Sequence, residues 1–174
     1  MKWLVLLLVA AAVAFVILDT DRAEVEVEDG VTIALTLRPM IGLHSDWSRE
    51  LSIQTPDGTL RRDLFEDTGW WRGSNLYRHT SGIYVLHEGQ SGCVLFRVSP
   101  PEFVTDPAIS CDKVDQTDRE GAVRADALTQ GGPASMFYRD FQYIGRFAQT
   151  PEGPEAIGFV GAEQQPETEL PDIL

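Results

Sequence analysis

Residues 23–37 alternate between polar and apolar side chains on both sides of a turn signal, and this alternation constrains the fold more than any other feature. In AEVEVE, valines alternate with glutamates, and in VTIALTL, aliphatic residues occupy every second position. A period of two places one set of side chains on a core and the other towards solvent, which is typical of a half-buried strand. Asp29-Gly30 between the runs favours a hairpin. We therefore expect the first two strands to pair.

Three further turn signals separate runs of the same kind. ELSIQ and TLRRDLF flank Pro56-Asp57-Gly58, NLYRH and IYVLHE flank Thr80-Ser81-Gly82, and CVLFRV follows the glycine-containing stretch 89–92. Strands resume in SMFYRDFQYIGRFA and AIGFVG. This pattern predicts a mainly β fold, a small antiparallel barrel or sandwich built as a meander of about seven to nine strands.

Two regions interrupt the strand pattern. Residues 99–133 are rich in proline, glycine and charge and predict an irregular excursion, with at most a short helix near 119–128. Residues 163–174 are acidic and contain proline, which predicts a flexible tail. The β domain is accordingly predicted to span residues 23–162.

The N-terminus carries an uninterrupted apolar run. The stretch from Trp3 to Leu18 contains no charge and no proline; it follows Lys2 and is followed by Asp19, Asp21 and Arg22. This arrangement predicts that residues 1–22 include one hydrophobic membrane-targeting helix with everything after it exported. We expect a single-pass protein of the cell membrane, with its domain on the periplasmic or extracellular side.

Cleavage of this segment is the alternative, and it would secrete the domain. The triplet Ala12-Val13-Ala14 has the small residues that cleavage needs but lies within the run, and cleavage after Ala23 would put Asp21 at the −3 position, where a charge is unfavourable. A 16-residue helix rises only about 24 Å, short of a bilayer core of about 30 Å. The uncleaved anchor is the favoured interpretation.

The net negative charge of the chain limits which macromolecules it can bind. The chain has 27 acidic and 14 basic residues, a net charge of −13, which repels nucleic acid at long range. With 43% hydrophobic and 24% charged residues, the chain can bury one core. We expect no nucleic-acid partner; the expected partners are the membrane and a membrane protein.

The two cysteines are predicted to form a disulfide, Cys93 with Cys111, because an exported chain meets an oxidising compartment. A metal site that joins these thiols to His79 or His87 is the competing hypothesis. It lacks any C-x-x-C or H-x-x-H spacing. The sequence therefore predicts no metal and no other cofactor.

Aromatic residues supply the candidate contact site. If Trp70 and Trp71 lie on one strand, they point to opposite faces, and the exposed one, with Trp47 and Tyr77, would make a platform for a sugar ring or a partner protein. Alternatively, both tryptophans cover the open end of the barrel.

The histidines offer two weaker hypotheses. His79 and His87 stand at opposite ends of one predicted hairpin as possible cross-strand neighbours, and the expectation is that both are surface histidines. His44 and Asp46, with Ser48 close by, suggest a hydrolase. The stretch SDWSRE also fits a helix start, however, and no Gly-x-Ser-x-Gly elbow is present.

Three functions are compatible with these features. The first is a membrane-tethered, non-catalytic β domain that acts as an accessory or assembly subunit of a larger membrane complex. The second is a cell-envelope module that binds a glycan or small ligand. The third is the hydrolase around His44 and Asp46, which would need a second segment to complete its site.

Overall fold

The computed structural model describes residues 21–39, 47–64, 73–88, 92–105, 132–138, 140–150 and 156–168. These ranges are mainly β and contain no helix, which confirms the predicted class. The strands are β1 (Asp21–Glu28), β2 (Val31–Pro39), β3 (Trp47–Thr55), β4 (Gly58–Asp63), β5 (Ser74–His79), β6 (Tyr84–His87), β7 (Cys93–Val98), β8 (Pro101–Val104), β9 (Phe141–Gln149) and β10 (Ile157–Gly161).

The strands form two antiparallel sheets. Sheet A has the order β1-β2-β3-β4, and sheet B has the order β10-β9-β5-β6-β7-β8. The hairpins predicted at Asp29-Gly30 and at Pro56-Asp57-Gly58 are confirmed, as are the β5–β6 and β6–β7 pairs. The meander is interrupted twice: the chain passes from β4 in sheet A to β5 in sheet B, and β9 returns to pair with β5 instead of β8.

The two sheets enclose one apolar core. Alternate residues of sheet A, including Ile33, Leu35 and Ile53, pack with residues of sheet B such as Leu76 and Phe96. Burial of this kind is the main stabilising term in a domain of this size. At the margins of the sheets β1 lies beside β10 and β4 lies beside β8.

A second, smaller core covers the outer face of sheet B. It contains Tyr77, Ile83, Val85, Leu95, Tyr138, Phe141 and Tyr143. A β-bulge makes it possible, because the register of β5 with β9 shifts between Leu76 and Tyr77, which leaves Ile144 opposite no residue of β5. The bulge reverses the phase of β9, so that Tyr143 points outward while Phe147 enters the first core.

Several local features differ from the sequence-based expectations. Residues 101–104, within the predicted excursion, form β8; Pro101 is tolerated because it opens an edge strand. The stretch around Ser48 starts β3 and no helix, because its residues pair with the end of β2. Residues 163–168 of the predicted tail are described, and Glu167 among them is buried. β1 begins at Asp21, two residues before the predicted start of the domain.

The strand directions give the β body two unlike ends. The tight connections at 29–30, 56–57, 80–83 and 99–100 all lie at one end, which we call the turn end. Asp21, Trp47, Ser74, Cys93 and Ile157 begin their strands at the opposite end, which we call the entry end. The chain therefore enters the β body at the end from which its longer connections also leave.

The predicted N-terminal helix, Trp3 to Leu18, lies outside the described residues. Within the described ranges, no helix has the length and hydropathy needed to cross a bilayer.

Candidate functional site

A buried carboxylate marks the most polar part of the second core. Glu167 is 8% exposed; its Oε1 accepts a hydrogen bond from Ser135 Oγ at 2.7 Å, and its Oε2 accepts one from the Met136 amide at 2.6 Å. We call Glu167, Ser135, Tyr77, Asn75 and Tyr138 the Glu167 cluster. It joins three separate segments, because Glu167 follows β10, Ser135 precedes β9 and Tyr77 lies in β5.

The sheet positions the aromatic members of the cluster. Tyr77 is 1% exposed, and its ring makes edge contacts with Tyr138 and Phe141 at centroid distances of 5.3 Å and 6.0 Å. Asn75, two residues earlier on the same face of β5, donates from Nδ2 to the Tyr77 hydroxyl at 2.9 Å and to the Thr168 carbonyl at 2.8 Å. The C-terminal segment is thus attached to β5 next to the cluster.

Burial perturbs the titration of this site. Desolvation raises the pKa of Glu167, although the hydrogen bonds from Ser135, Met136 and Tyr77 act in the opposite direction. The pKa of Tyr77 is raised well above its usual value, first by burial and then by the negative charge of Glu167. Burial also raises the pKa of Tyr143 to about 12. Perturbed carboxyl groups of this kind occur at active sites and in structural networks alike.

The hydrogen bonds show what Ser135 and Glu167 can do. Ser135 Oγ donates its proton to Glu167 and accepts from the amides of Phe137 at 3.2 Å and Tyr138 at 2.9 Å. A hydroxyl has one proton and two lone pairs, so that these three hydrogen bonds use the full hydrogen-bonding capacity of this serine. In this arrangement Glu167 serves as an anchor that holds residues 135–138 and 162–168 against sheet B.

Two ionic contacts, one buried and one partly buried, lie elsewhere between the sheets. At the entry end, Arg49 Nη1 of sheet A lies 2.7 Å from Glu88 Oε1 of sheet B, and Ser74 Oγ donates to the same oxygen at 3.0 Å. At the turn end, the Tyr84 hydroxyl donates to Glu28 Oε1 at 2.7 Å, and Arg78 Nη2 lies 3.1 Å from it. Both contacts join the sheets across the core.

Of the aromatic residues predicted to form a contact platform, Tyr77 has a described side chain, and it is buried. Its ring is enclosed by Tyr138, Phe141 and Tyr143, because the bulge in β9 and the segment 135–138 cover this face. Trp47 opens β3. Trp70 and Trp71 lie outside the described residues, in the connection between Leu64 and Gly73.

The structure separates the two histidines of the predicted hairpin. His87 lies opposite Asn75, whereas His79 bonds through its amide to Ile83 at the other end of the pair, so they are not cross-strand neighbours. His87 is also not a surface residue: it is 6% exposed, with its ring 5.4 Å from that of Tyr138. No group of three or more possible metal ligands occurs within the described ranges. His44 and Asp46 lie outside them.

The structure does not leave Cys93 as a free thiol. Cys111 lies outside the described residues, so the Cys93–Cys111 disulfide stays a prediction.

Sequence reasoning did not identify Glu167, Ser135 or Arg49. Their only signal is a charge or hydroxyl among residues that otherwise suggest a loop or an alternating strand, and a charged residue in such a position is usually solvated. The chain matches no protein-family model, no curated protein and no solved structure.

Proposed function

We propose that this chain is a membrane-tethered β-sandwich domain on the extracytoplasmic side of a cell membrane, where it acts as a non-catalytic accessory or assembly subunit of a larger membrane complex. The observation that carries the proposal is the position of the first strand. β1 begins at Asp21, so that only Asp19 and Thr20 separate it from the apolar run that ends at Leu18. The folded domain and the predicted anchor are therefore almost contiguous.

The contacts of β1 favour retention of the N-terminal segment over cleavage after Ala23. Ala23 pairs with Leu35 and is buried in the first core at 6% exposure. Asp21 Oδ2 accepts a hydrogen bond at 2.6 Å from the amide of Ile157, the first residue of β10. Cleavage at this site would remove the start of a core strand and the acceptor that joins it to sheet B. An anchor that remains attached keeps both.

The surface of the β body supports a partner contact near the membrane. Among the described residues, the large hydrophobic side chain with an exposed position is that of Met136, at 50%. The described surface of the β body therefore offers little apolar area for a stable contact with another protein. The predicted contact residues Trp47, Trp70 and Trp71 belong by sequence to β3 and to the β4–β5 connection, which begin or end at the entry end. We propose them as the contact with a membrane-protein partner.

The membrane part of the proposal is tested with the full chain in its native membranes. Leu7→Arg places a charge in the middle of the apolar run, which costs about 2.5–3.5 kcal/mol for insertion at a helix centre. Thr59→Arg is the matched control, because it adds the same charge at an exposed position of β4. We expect the wild type and Thr59→Arg to resist an alkaline carbonate wash and Leu7→Arg to be lost from the membrane fraction. Release of all three proteins would refute the anchor.

The remaining part of the proposal concerns cleavage of the N-terminal segment and the identity of the partner. Intact mass spectrometry of the membrane-extracted protein should show an N-terminus that precedes Trp3, whereas a terminus at Phe15 or Glu24 would show a cleaved signal. A membrane protein should co-purify in a fixed ratio, and replacing Trp70 and Trp71 by serine should release it without releasing the domain from the membrane. Retention of the same companion by the double variant would contradict the proposed contact.

A further inference from the structure

The segment that follows β10 contributes one buried side chain to the β body from residues 163–168. Residues 163–166 are exposed, Glu167 is buried at 8%, and Thr168 is exposed again. Within the described ranges, no strand pairs with residues 162–168. This segment therefore returns to the surface of sheet B with a single carboxylate as its anchor.

The groups that bind this carboxylate are donors from two other segments. Ser135 Oγ and the Met136 amide donate to its two oxygens at 2.7 Å and 2.6 Å, and Tyr77 of β5 is a further donor. Ser135 and Tyr77 are each 1% exposed. Hydrogen bonds to an ionised carboxylate are roughly twice as strong as those between neutral groups. The second core thus holds a donor set suited to a carboxylate.

Asn75 binds the main chain next to the carboxylate. Its Nδ2 donates to the Thr168 carbonyl at 2.8 Å. Its Oδ1 is buried, and no donor among the described residues lies within hydrogen-bonding distance of this oxygen. Buried polar atoms in folded proteins are nearly always hydrogen-bonded. The amide of Asn75 can therefore accept an N–H from an extended peptide while it donates to a carbonyl of the same peptide.

From these contacts we infer that the outer face of sheet B carries a peptide-binding site whose ligand is an extended segment with a glutamate. The site consists of the donors around this glutamate, namely Ser135, Met136, Tyr77 and Asn75. Residues 162–168 of the chain occupy the site as a tethered ligand. The partner that fits is an acidic peptide that offers a carboxylate to the donors and a main-chain carbonyl to the asparagine. Binding at this site requires no membrane anchor.

The tethered segment competes with any such partner. A ligand joined to its site by a short linker has an effective concentration on the order of millimolar. A free peptide of similar affinity is therefore largely excluded from the wild-type site. Glu167 acts as an internal competitor, and an acidic partner gains access to the donors when this side chain leaves them. The contact of Glu167 with Ser135 and Met136 is in this sense autoinhibitory.

The test uses the isotope-labelled, full-length protein in detergent micelles. Glu167→Ala vacates the position of the carboxylate, and Glu163→Ala is the matched control because it removes the same side chain from an exposed position of the same segment. The probe is a synthetic peptide with the sequence of residues 162–168, compared with a peptide in which glutamine replaces its second glutamate. The amide resonance of Met136 reports on the site, since this amide donates to Glu167.

We expect the Met136 resonance of Glu167→Ala to return towards its wild-type position as the peptide is added. The affinity should be about tenfold higher than for the glutamine peptide, which lacks the charged acceptor. The wild type and Glu163→Ala should bind the peptide about tenfold more weakly than Glu167→Ala, because the tethered segment fills their sites.

Absence of binding to Glu167→Ala, or equal binding of the two peptides, would overturn the proposed site. Equal affinity for all three proteins would overturn the competition by the tethered segment. Should Glu167→Ala fail to fold, Glu167→Gln takes its place, because it keeps the side-chain volume and removes the charge. Adding Ser135→Ala to the variant that folds should abolish peptide binding, and binding that persists would place the peptide elsewhere and refute the site.

Discussion

Arg49 and Glu88 join the two sheets through a buried ion pair whose Nη1 and Oε1 atoms lie 2.7 Å apart. Both side chains are almost inaccessible to solvent, at 0% and 2%. Removal of one partner leaves an uncompensated charge in the core, which typically costs about 3–5 kcal/mol, whereas replacement of both by apolar residues costs much less.

We therefore predict that Arg49→Met and Glu88→Leu each lower the free energy of unfolding by about 3–5 kcal/mol and that the double variant is more stable than either single variant. Urea denaturation of the three proteins and the wild type measures this coupling. Additive losses in the double variant would show that the two side chains act independently.

The raised pKa of Glu167 predicts that the stability of the fold depends on pH. Its pKa is raised by burial, so that the folded chain holds this proton more tightly than the unfolded chain does. The contribution of Glu167 to stability is then greatest below its unfolded pKa and decreases as the pH rises to its native pKa. Glu167→Gln should remove this decrease. Urea midpoints across that pH window compare the variant with the wild type, and Glu163→Gln removes the same charge from an exposed site. Parallel curves for the wild type and Glu167→Gln would contradict the prediction.

Gly145 permits the close approach of β10 to the bulged strand. It has a φ of 154°, and a Cβ at this position would collide with the Val160 carbonyl oxygen and the Phe159 ring. Gly145→Ala should therefore destabilise the domain by about 1–3 kcal/mol or more. Gly58→Ala separates the two causes, because Gly58 has a similar φ of 146° but no atom within 4 Å of such a Cβ. Equal thermal destabilisation by both substitutions would mean that backbone strain alone is responsible.

Asp21, the first residue of β1, links this strand to β10. Its carboxylate accepts from the Ile157 amide, and Asp21→Ala should cost about 1–2 kcal/mol because that amide loses its acceptor. Arg22→Ala, on the exposed side of the same strand, should change stability by less than about 0.5 kcal/mol. Thermal unfolding of both variants measures the difference. An Asp21→Ala variant as stable as the wild type would show that the first strand is not held to β10 in this way.

The predicted disulfide makes a chemical test possible. Cys93→Ser and Cys111→Ser should each lower stability by about 3 kcal/mol in the chain-entropy model. The native protein should resist alkylation unless it is first reduced, and then take up two labels by mass. Labelling of two thiols without a reductant would rule out the bond.

The sequence by itself determined the strands of the two regular hairpins, because alternation with a period of two and the signals Asp29-Gly30 and Pro56-Asp57-Gly58 are local properties of the chain. It also identified the apolar run from Trp3 to Leu18 and the excess of acidic residues, because both can be read from the chain without knowing how it folds. β8 was missed because two prolines and a charge occur in six residues, and only its pairing with β7 shows that an edge strand tolerates them.

Only the tertiary structure decided what lies on the two faces of sheet B. Phe141, Tyr143 and Phe147 would share one face in a regular strand, and the bulge at Ile144 divides them between two cores. Tyr77 is a buried member of the Glu167 cluster, and Arg49 pairs with Glu88 across the core. These contacts join residues far apart in the chain, and such pairing depends on the packing of whole sheets rather than on the local preferences that a sequence pattern reports.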